Sequence, residues 1–213
     1  ITIAGTVAVV TAAVSKHGVE ALAGYGLGSR LEIIITPLVF GIGSVLTASV
    51  GINVGAQQLH RAKMIAWTGA FISFCVVGLL GATVTIFPDV WLNNFESSTL
   101  IRDYATSYLI IVAPFYCFFA AGQTLYFASQ GLGKIFYPVI VGIIRLLSVS
   151  IICYYVTFYD LSLNFVFYGV SFGLLATGLG LWMCMLGPDW KKQIWHIYGF
   201  FDYPKKDIEY IAI

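Results

Sequence analysis

The chain has 213 residues, of which 59% are hydrophobic and only 10% are charged, and its mean hydropathy is +0.89. A typical soluble domain carries about 25% charged residues, so an ordinary cytoplasmic enzyme domain and a disordered segment are excluded. The formal net charge is +1, which leaves no basic surface for binding nucleic acid. The class that remains is an integral membrane protein whose partner is the lipid bilayer.

Six apolar runs follow one another along the chain, separated by charged or turn-forming connections. A membrane-spanning helix needs about 20 apolar residues, and none of the runs alternates apolar and polar residues as barrel strands do. We therefore predict an all-α integral membrane fold, a six-helix transmembrane bundle in which short connections make neighbouring helices antiparallel. The predicted spans are residues 1–15, 31–57, 64–88, 104–129, 135–159 and 162–187.

The two ends of the chain differ from the spans between them. The first run, 1–15, lacks both a preceding Met and a charged segment, so it is not typical of a signal peptide. We expect it to be the second half of a truncated helix in a longer membrane protein. Residues 1–187 then form one transmembrane lobe. The tail, 188–213, mixes aromatic residues with lysines, which favours a position on the membrane surface.

Basic residues indicate the orientation, because they concentrate on the cytoplasmic side of membrane proteins. The connection with Arg61 and Lys63, the connection with Lys134 and the tail lie on one side, with seven basic residues against three on the other. We therefore place the C-terminus in the cytoplasm and the 88–103 connection outside. This asymmetry is typical of a multi-pass protein of the plasma (inner) membrane.

No pattern for enzyme chemistry is present. The three histidines are isolated, the four cysteines each lie alone in an apolar run, and no H-E-x-x-H occurs. The glycine-rich residues 24–29 fail the dinucleotide-binding pattern, and Gly133-Lys134 is followed by Ile135 rather than Ser or Thr. We predict no catalytic residues, no metal site, no cofactor and no enzymatic activity. Energy for any work must come from an ion gradient or from another chain.

Polar residues inside apolar spans are costly, and they often mark a transport pathway. The candidates for a substrate site or lumen are Arg30, Glu32, Asn53, Gln57, Tyr116, Gln123, Tyr126 and Arg145.

Each candidate has a structural alternative. Arg30 and Glu32, expected at the outward mouth of the second span, can be interfacial anchors, and their partners must come from elsewhere because they are only two residues apart. Asn53 and Gln57, four apart, share one helix face and can bond a neighbouring helix or form a C-cap, and Gln123 can bond a neighbouring helix. Tyr116 and Tyr126 flank Gln123. Arg145 is the one full charge expected deep in a span, and no deep Asp or Glu is expected.

Residues 21–43, from Ala21-Leu22-Ala23-Gly24 through Thr36-Pro37 to Gly43, resemble the start of the C-terminal lobe of the multidrug and toxic compound extrusion (MATE) family. The resemblance continues through residues 50–57 and Arg61-Ala62. Residues 129–134, followed by Arg145, are similar to the turn between the family's tenth and eleventh helices. The stretch from residue 21 to residue 62 is the specific part, and the remainder matches mainly in the spacing of its spans.

The resemblance implies a fold and a function. Family members have twelve helices in two pseudo-symmetric lobes and export drugs or organic cations in exchange for protons or sodium, by alternating access. This chain would be the C-terminal lobe, beginning midway through the seventh helix, and its partner would be the missing N-terminal lobe of the same chain. Protons or sodium would be the coupling ion.

The chain departs from the family at the acidic residues that serve cation coupling in some members. The seventh-helix Glu would precede residue 1, and the tenth-helix Asp has no equivalent in residues 118–123. We therefore expect the coupling carboxylate in the missing lobe. Two alternatives stay open. One is a flippase for lipid-linked sugars, which needs a more cationic cavity, and the other is a membrane scaffold that does not transport.

Overall fold

The computed structural model describes residues 2–133 and 135–186, and the ordered elements in these residues are all helices. The elements are α1 (Thr2–Ser15), α2 (Val19–Gly55), α3 (Leu59–Ile86), α4 (Pro88–Leu92), α5 (Thr99–Val112), a 3-10 turn (Ala113–Phe115), α6 (Tyr116–Gly131), α7 (Phe136–Phe158) and α8 (Leu163–Leu186). The tail at 188–213, for which a position on the membrane surface is expected, lies outside the described residues, as does Lys134.

The helices confirm the predicted membrane bundle. In the described part of the chain, five helices are long and apolar enough to span a bilayer, and a sixth, α1, is apolar but has only 14 residues. Helices α5 and α6 count as one span, because the 3-10 turn at Pro114 joins them without a break. At 1.5 Å per residue α1 is roughly 21 Å long, which is less than the hydrocarbon thickness of about 30 Å.

Two predicted boundaries are wrong. Helix α2 begins at Val19 rather than at residue 31, and its 37 residues make it the longest helix described. The 88–103 stretch, predicted as a connection, contains α4 and the first turn of α5, which Ser98 caps by accepting a hydrogen bond from the amide of Ile101. Arg102 then joins the two helices through an ion pair of 2.7 Å to Asp89.

Helix α6 lies at the centre of the bundle. It packs against α2, α3 and α8, while α7 packs between α1 and α8. Small residues permit this closeness: a Cβ built on Gly122 of α6 would lie 2.8 Å from the Cα of Gly178 in α8. Close approach through glycine is typical of membrane helices, which associate by packing rather than by a hydrophobic effect between them.

The outer surface of the bundle is apolar. Large side chains such as Phe71, Leu79 and Met183 are about 70% exposed, at 68%, 71% and 72%. A soluble protein rarely leaves so much apolar surface in water, whereas a lipid-facing surface requires it. Polar side chains such as Gln123 and Arg145 are instead buried in the interior.

Candidate transport site

Glu32 lies in the interior of α2, where two tyrosines from other helices hold its carboxylate. The hydroxyl of Tyr108 (α5) donates to its Oε1 at 2.6 Å, and the hydroxyl of Tyr116 (α6) donates to the same atom at 3.2 Å. Both tyrosines are fully buried, and Glu32 itself is half-buried. Glu32 is not at the end of its helix, because α2 continues for thirteen residues before it.

The helix register gives the depth of this carboxylate. Helices α2, α5–α6 and α8 run in the same direction, and two contacts give their register. Gly28 of α2 faces the ring of Tyr108 in α5. The hydroxyl of Ser171 in α8 donates to the carbonyl of Ile111 in α5 at 2.8 Å. Glu32 is thus level with Phe172, about nine residues, or roughly 14 Å, into the 24-residue helix α8. Glu32 therefore lies inside the helical bundle rather than at the end of a helix.

A cavity of about 770 Å³ adjoins Glu32. It lies between α1 and α2, and its walls include Tyr25, Ser29 and Thr36 besides Glu32. Pro37 also lines it and has no backbone N–H, so it leaves the carbonyl of Ile33 without its usual partner within the helix. The carboxylate therefore borders a cavity large enough for a small molecule.

Arg145 lies on α7, and its side chain is 92% buried, with a relative exposure of 8%. Its guanidinium carbon lies 5.1 Å from the centre of the Phe119 ring, so a cation–π contact covers part of the charge. Its aliphatic part packs against Gly173 of α8, where a Cβ would lie 3.6 Å from the Cγ of Arg145. Its Nε is buried and has no hydrogen-bond partner in the described part of the chain.

A second cavity, of about 500 Å³, surrounds Arg145 and is formed by α1, α2, α6, α7 and α8. Gln123 and Tyr126 of α6 line it together with Arg145, so the fold brings three of the predicted residues into one site. Thr2, Gln130 and Thr177 add three more polar side chains. The apolar part of the lining consists of Ile3, Phe40, Phe127, Pro138, Val139 and Leu181.

Glu32 and Arg145 lie at nearly the same depth. Arg145 packs beside Gly173, and Glu32 is level with the preceding residue, Phe172. Within residues 2–133 and 135–186, however, the ion pair found is the one between Arg102 and Asp89, so the two central charges are not in direct contact. The lobe thus has one carboxylate and one guanidinium inside the bundle, each bordering its own cavity, with Ile3 lining both.

The other predicted residues lie apart from the two cavities. Arg30 is exposed, and its guanidinium carbon lies 5.4 Å from the ring centre of Phe95. The Nδ2 of Asn53 donates to the carbonyl of Ser49 in its own helix at 2.8 Å. Gln57 lies beyond the end of α2 with φ at +61°, so the prediction that it shares a helix face with Asn53 is wrong.

Sequence reasoning missed Tyr108 and Tyr25, which complete the Glu32 site. The Tyr25 and Tyr108 rings meet edge to face with their centres 5.4 Å apart. The sequence does carry a signal that Tyr25 and Glu32 lie on one helix. Residues 21–29 contain neither Pro nor a charged residue, which favours a helix that continues to Glu32. No group of three or more His, Cys, Asp or Glu able to hold a metal ion occurs in the residues that the structure describes.

An all-helical bundle with a central carboxylate, a central guanidinium and two adjoining cavities defines a multi-pass membrane protein of the transporter class. Comparison with known proteins gives the family. The family model MatE matches residues 1–156, so the chain belongs to the MATE family of efflux transporters. This confirms the resemblance found in the sequence.

The relatives found by sequence are multidrug resistance proteins. The chain is 27% identical over 107 residues to the probable multidrug resistance protein NorM of Oceanobacillus iheyensis, which covers 50% of this chain and 24% of that protein. It is 28% identical over 141 residues to the multidrug resistance protein NorM of Burkholderia vietnamiensis, and the match covers 66% of this chain and 29% of that protein. The chain thus matches only about a quarter of the length of each relative.

The fold agrees with a solved MATE transporter. The structure of the MATE transporter ClbM in complex with Rb+ superposes with a TM-score of 0.82 at 21% identity, covering 92% of this chain and 46% of that one. At this identity the likeness shows the fold alone. The described bundle therefore corresponds in extent to about half of a MATE transporter.

Proposed function

We propose that this chain is the C-terminal lobe of a secondary active antiporter, which exports drugs or amphipathic organic cations in exchange for protons or sodium. Transport would proceed by alternating access between this lobe and an N-terminal lobe of the same protein. The observation that carries the proposal is Glu32, a carboxylate inside the helical bundle that borders a cavity. Ionisable groups within membrane-spanning helices are expensive and usually serve transport.

The surroundings of Glu32 suit a group that takes up and releases a cation. Two tyrosine hydroxyls donate to one of its oxygens, so the carboxylate joins α2 to both α5 and α6. A proton, or a sodium ion coordinated by carboxylate and hydroxyl oxygens, would weaken those donated bonds and change the contacts between α2 and the α5–α6 span. Such a difference in contacts is what lets a bound ion shift a conformational equilibrium.

The coupling carboxylate was expected in the missing lobe because none was expected deep in this one. Because Glu32 lies inside the bundle and borders a cavity, we instead assign the coupling role to Glu32. The two cavities, of about 770 and 500 Å³, have sizes suited to drug-like molecules. The names of the NorM relatives support a multidrug substrate range.

The same proposal includes location. We place the protein in the plasma (inner) membrane with its C-terminus in the cytoplasm, which the distribution of basic residues supports. The 56–58 connection then faces the cytoplasm, and the α4 helix faces outward.

The test is gradient-driven efflux by the intact protein in proteoliposomes, with Glu32→Gln compared with Glu20→Gln. Both residues lie on α2, but Glu20 is exposed in the first turn, so it is a matched control for the same chemical change. We expect Glu32→Gln to abolish accumulation driven by a proton or sodium gradient, and Glu20→Gln to leave it unchanged.

Three outcomes would count against the proposal. Undiminished gradient-driven transport by Glu32→Gln would remove Glu32 as the coupling group. Absence of any gradient-driven flux of organic cations by the wild-type protein would favour the scaffold alternative. Flux of lipid-linked sugars instead would favour the flippase.

A further inference from the structure

We propose that the cavity around Arg145 binds an oxyanion, specifically the carboxylate of an amphipathic substrate. The transporter would then prefer zwitterionic over purely cationic molecules at this site. The inference rests on the proposed transport function and names the substrate class of one of its two cavities. What carries it is a buried guanidinium that faces a cavity and lacks an anionic partner among the described residues.

The guanidinium is incompletely satisfied. Arg145 makes no hydrogen bond to any described residue, and its Nε is both buried and unpartnered. Removing a charged donor from water without a partner is costly, and the Phe119 ring replaces only part of the lost hydration. A ligand carboxylate in the cavity would give the guanidinium an anionic partner, and guanidinium groups bind carboxylates through two parallel hydrogen bonds.

Glu32 is the obvious internal partner, since it lies at the same depth. Its Oε1 is occupied by the hydroxyls of Tyr108 and Tyr116, and it lines the other cavity. No nitrogen of Arg145 comes within ion-pair distance of it. The guanidinium therefore remains open to a ligand while Glu32 is held elsewhere.

The rest of the cavity fits an amphipathic ligand. Gln123 is buried and lines the cavity beside Arg145, where its amide adds a second donor for an oxyanion. Phe40, Phe127 and Leu181 supply an apolar wall for the body of the molecule. The cavity volume of about 500 Å³ suits a ligand of drug size rather than a free inorganic anion.

The test uses two dyes that differ only at the proposed contact. Rhodamine B carries a free carboxylate and a cationic xanthene, while rhodamine B ethyl ester is purely cationic. Binding to the intact protein in detergent is measured by fluorescence anisotropy, and transport is measured in phosphatidylcholine proteoliposomes. The variants are Arg145→Gln and Arg145→Lys, with Arg61→Gln as the exposed control for loss of an arginine.

We expect Arg145→Gln to weaken binding of rhodamine B by about tenfold or more, the effect of losing a charge-assisted hydrogen bond, and to leave binding of the ester unchanged. Arg145→Lys should recover part of the affinity, because it keeps the charge but not the planar fork. Arg61→Gln should bind both dyes like wild type.

Equal changes for both dyes in Arg145→Gln, or no change for either, would overturn the proposal. A phospholipid phosphate is the rival oxyanion. If it is the occupant, adding phosphatidylglycerol will lower rhodamine B affinity in the wild type but not in Arg145→Gln, and this outcome would also overturn the assignment to substrate. The anisotropy measurement does not depend on transport, so the two proposals can fail separately. If only the proposed antiport is wrong, the ester will not be transported, but Arg145→Gln will still weaken binding of rhodamine B and not of the ester.

Discussion

The contact between α6 and α8 is tight enough for a single methyl group to disturb it, at Gly178. A Cβ built on Gly178 would lie 2.5 Å from the carbonyl oxygen of Phe118 and 2.8 Å from its carbonyl carbon. Ordinary van der Waals contact begins at 3.4 Å, so the helices must separate by roughly 0.9 Å. The obstacle is backbone, which has no rotamer that could move aside.

We expect Gly178→Ala to lower the free energy of unfolding by about 1–3 kcal/mol, the usual cost of overpacking a close contact. The matched control is Gly41→Ala on α2, where a Cβ would meet nothing within 4 Å. Without a clash, Ala in place of Gly favours a helix by up to about 1 kcal/mol. The two variants make the same chemical change and should shift stability in opposite directions.

The assay is equilibrium unfolding of the intact protein in mixed micelles by titration with sodium dodecyl sulfate, followed by circular dichroism. The separation of α6 and α8 should also disturb the Arg145 cavity, which both helices line through Gln123 and Thr177. Equal stability of Gly178→Ala and Gly41→Ala would refute the packing described for these helices.

Two further variants test individual contacts. Tyr108→Phe removes the 2.6 Å hydrogen bond to Glu32 and should slow gradient-driven transport several-fold. The control is Tyr154→Phe, at an exposed tyrosine, which should transport like wild type. Equal transport rates in the two variants would contradict a role for Tyr108. Trp91→Phe removes the 3.0 Å hydrogen bond from the indole N–H to the carbonyl of Leu27. It should lower the free energy of unfolding by about 1 kcal/mol in the same titration. Unchanged stability would show that this hydrogen bond does not anchor α4.

The helical bundle was predictable because bilayer thickness sets the length of an apolar run. The runs ending near residues 88 and 159 match helices that end at Ile86 and Phe158. Prediction failed at the start of α2, which begins at Val19 rather than at residue 31, because Arg30 and Glu32 were taken as the border of the helix.

The partners of Glu32 explain why its role was hidden. Tyr108 and Tyr116 are 76 and 84 residues away in sequence, and no local pattern connects them to α2. The position of Arg145 deep in a span was predictable, because its neighbours along α7 are apolar and do not indicate a connection at that point. Its grouping with Gln123 depends on how α6 and α7 pack around α8, which spacing alone does not specify.

The central claim is that Glu32 carries the coupling ion, and ion release on substrate binding tests it most directly. The intact protein in weakly buffered detergent solution is mixed with a transported cation while a pH indicator and a sodium electrode follow the medium. We predict that the wild type and Glu20→Gln release a proton or a sodium ion on binding and that Glu32→Gln binds the cation without release. Equal ion release by Glu32→Gln and the wild type would contradict the account.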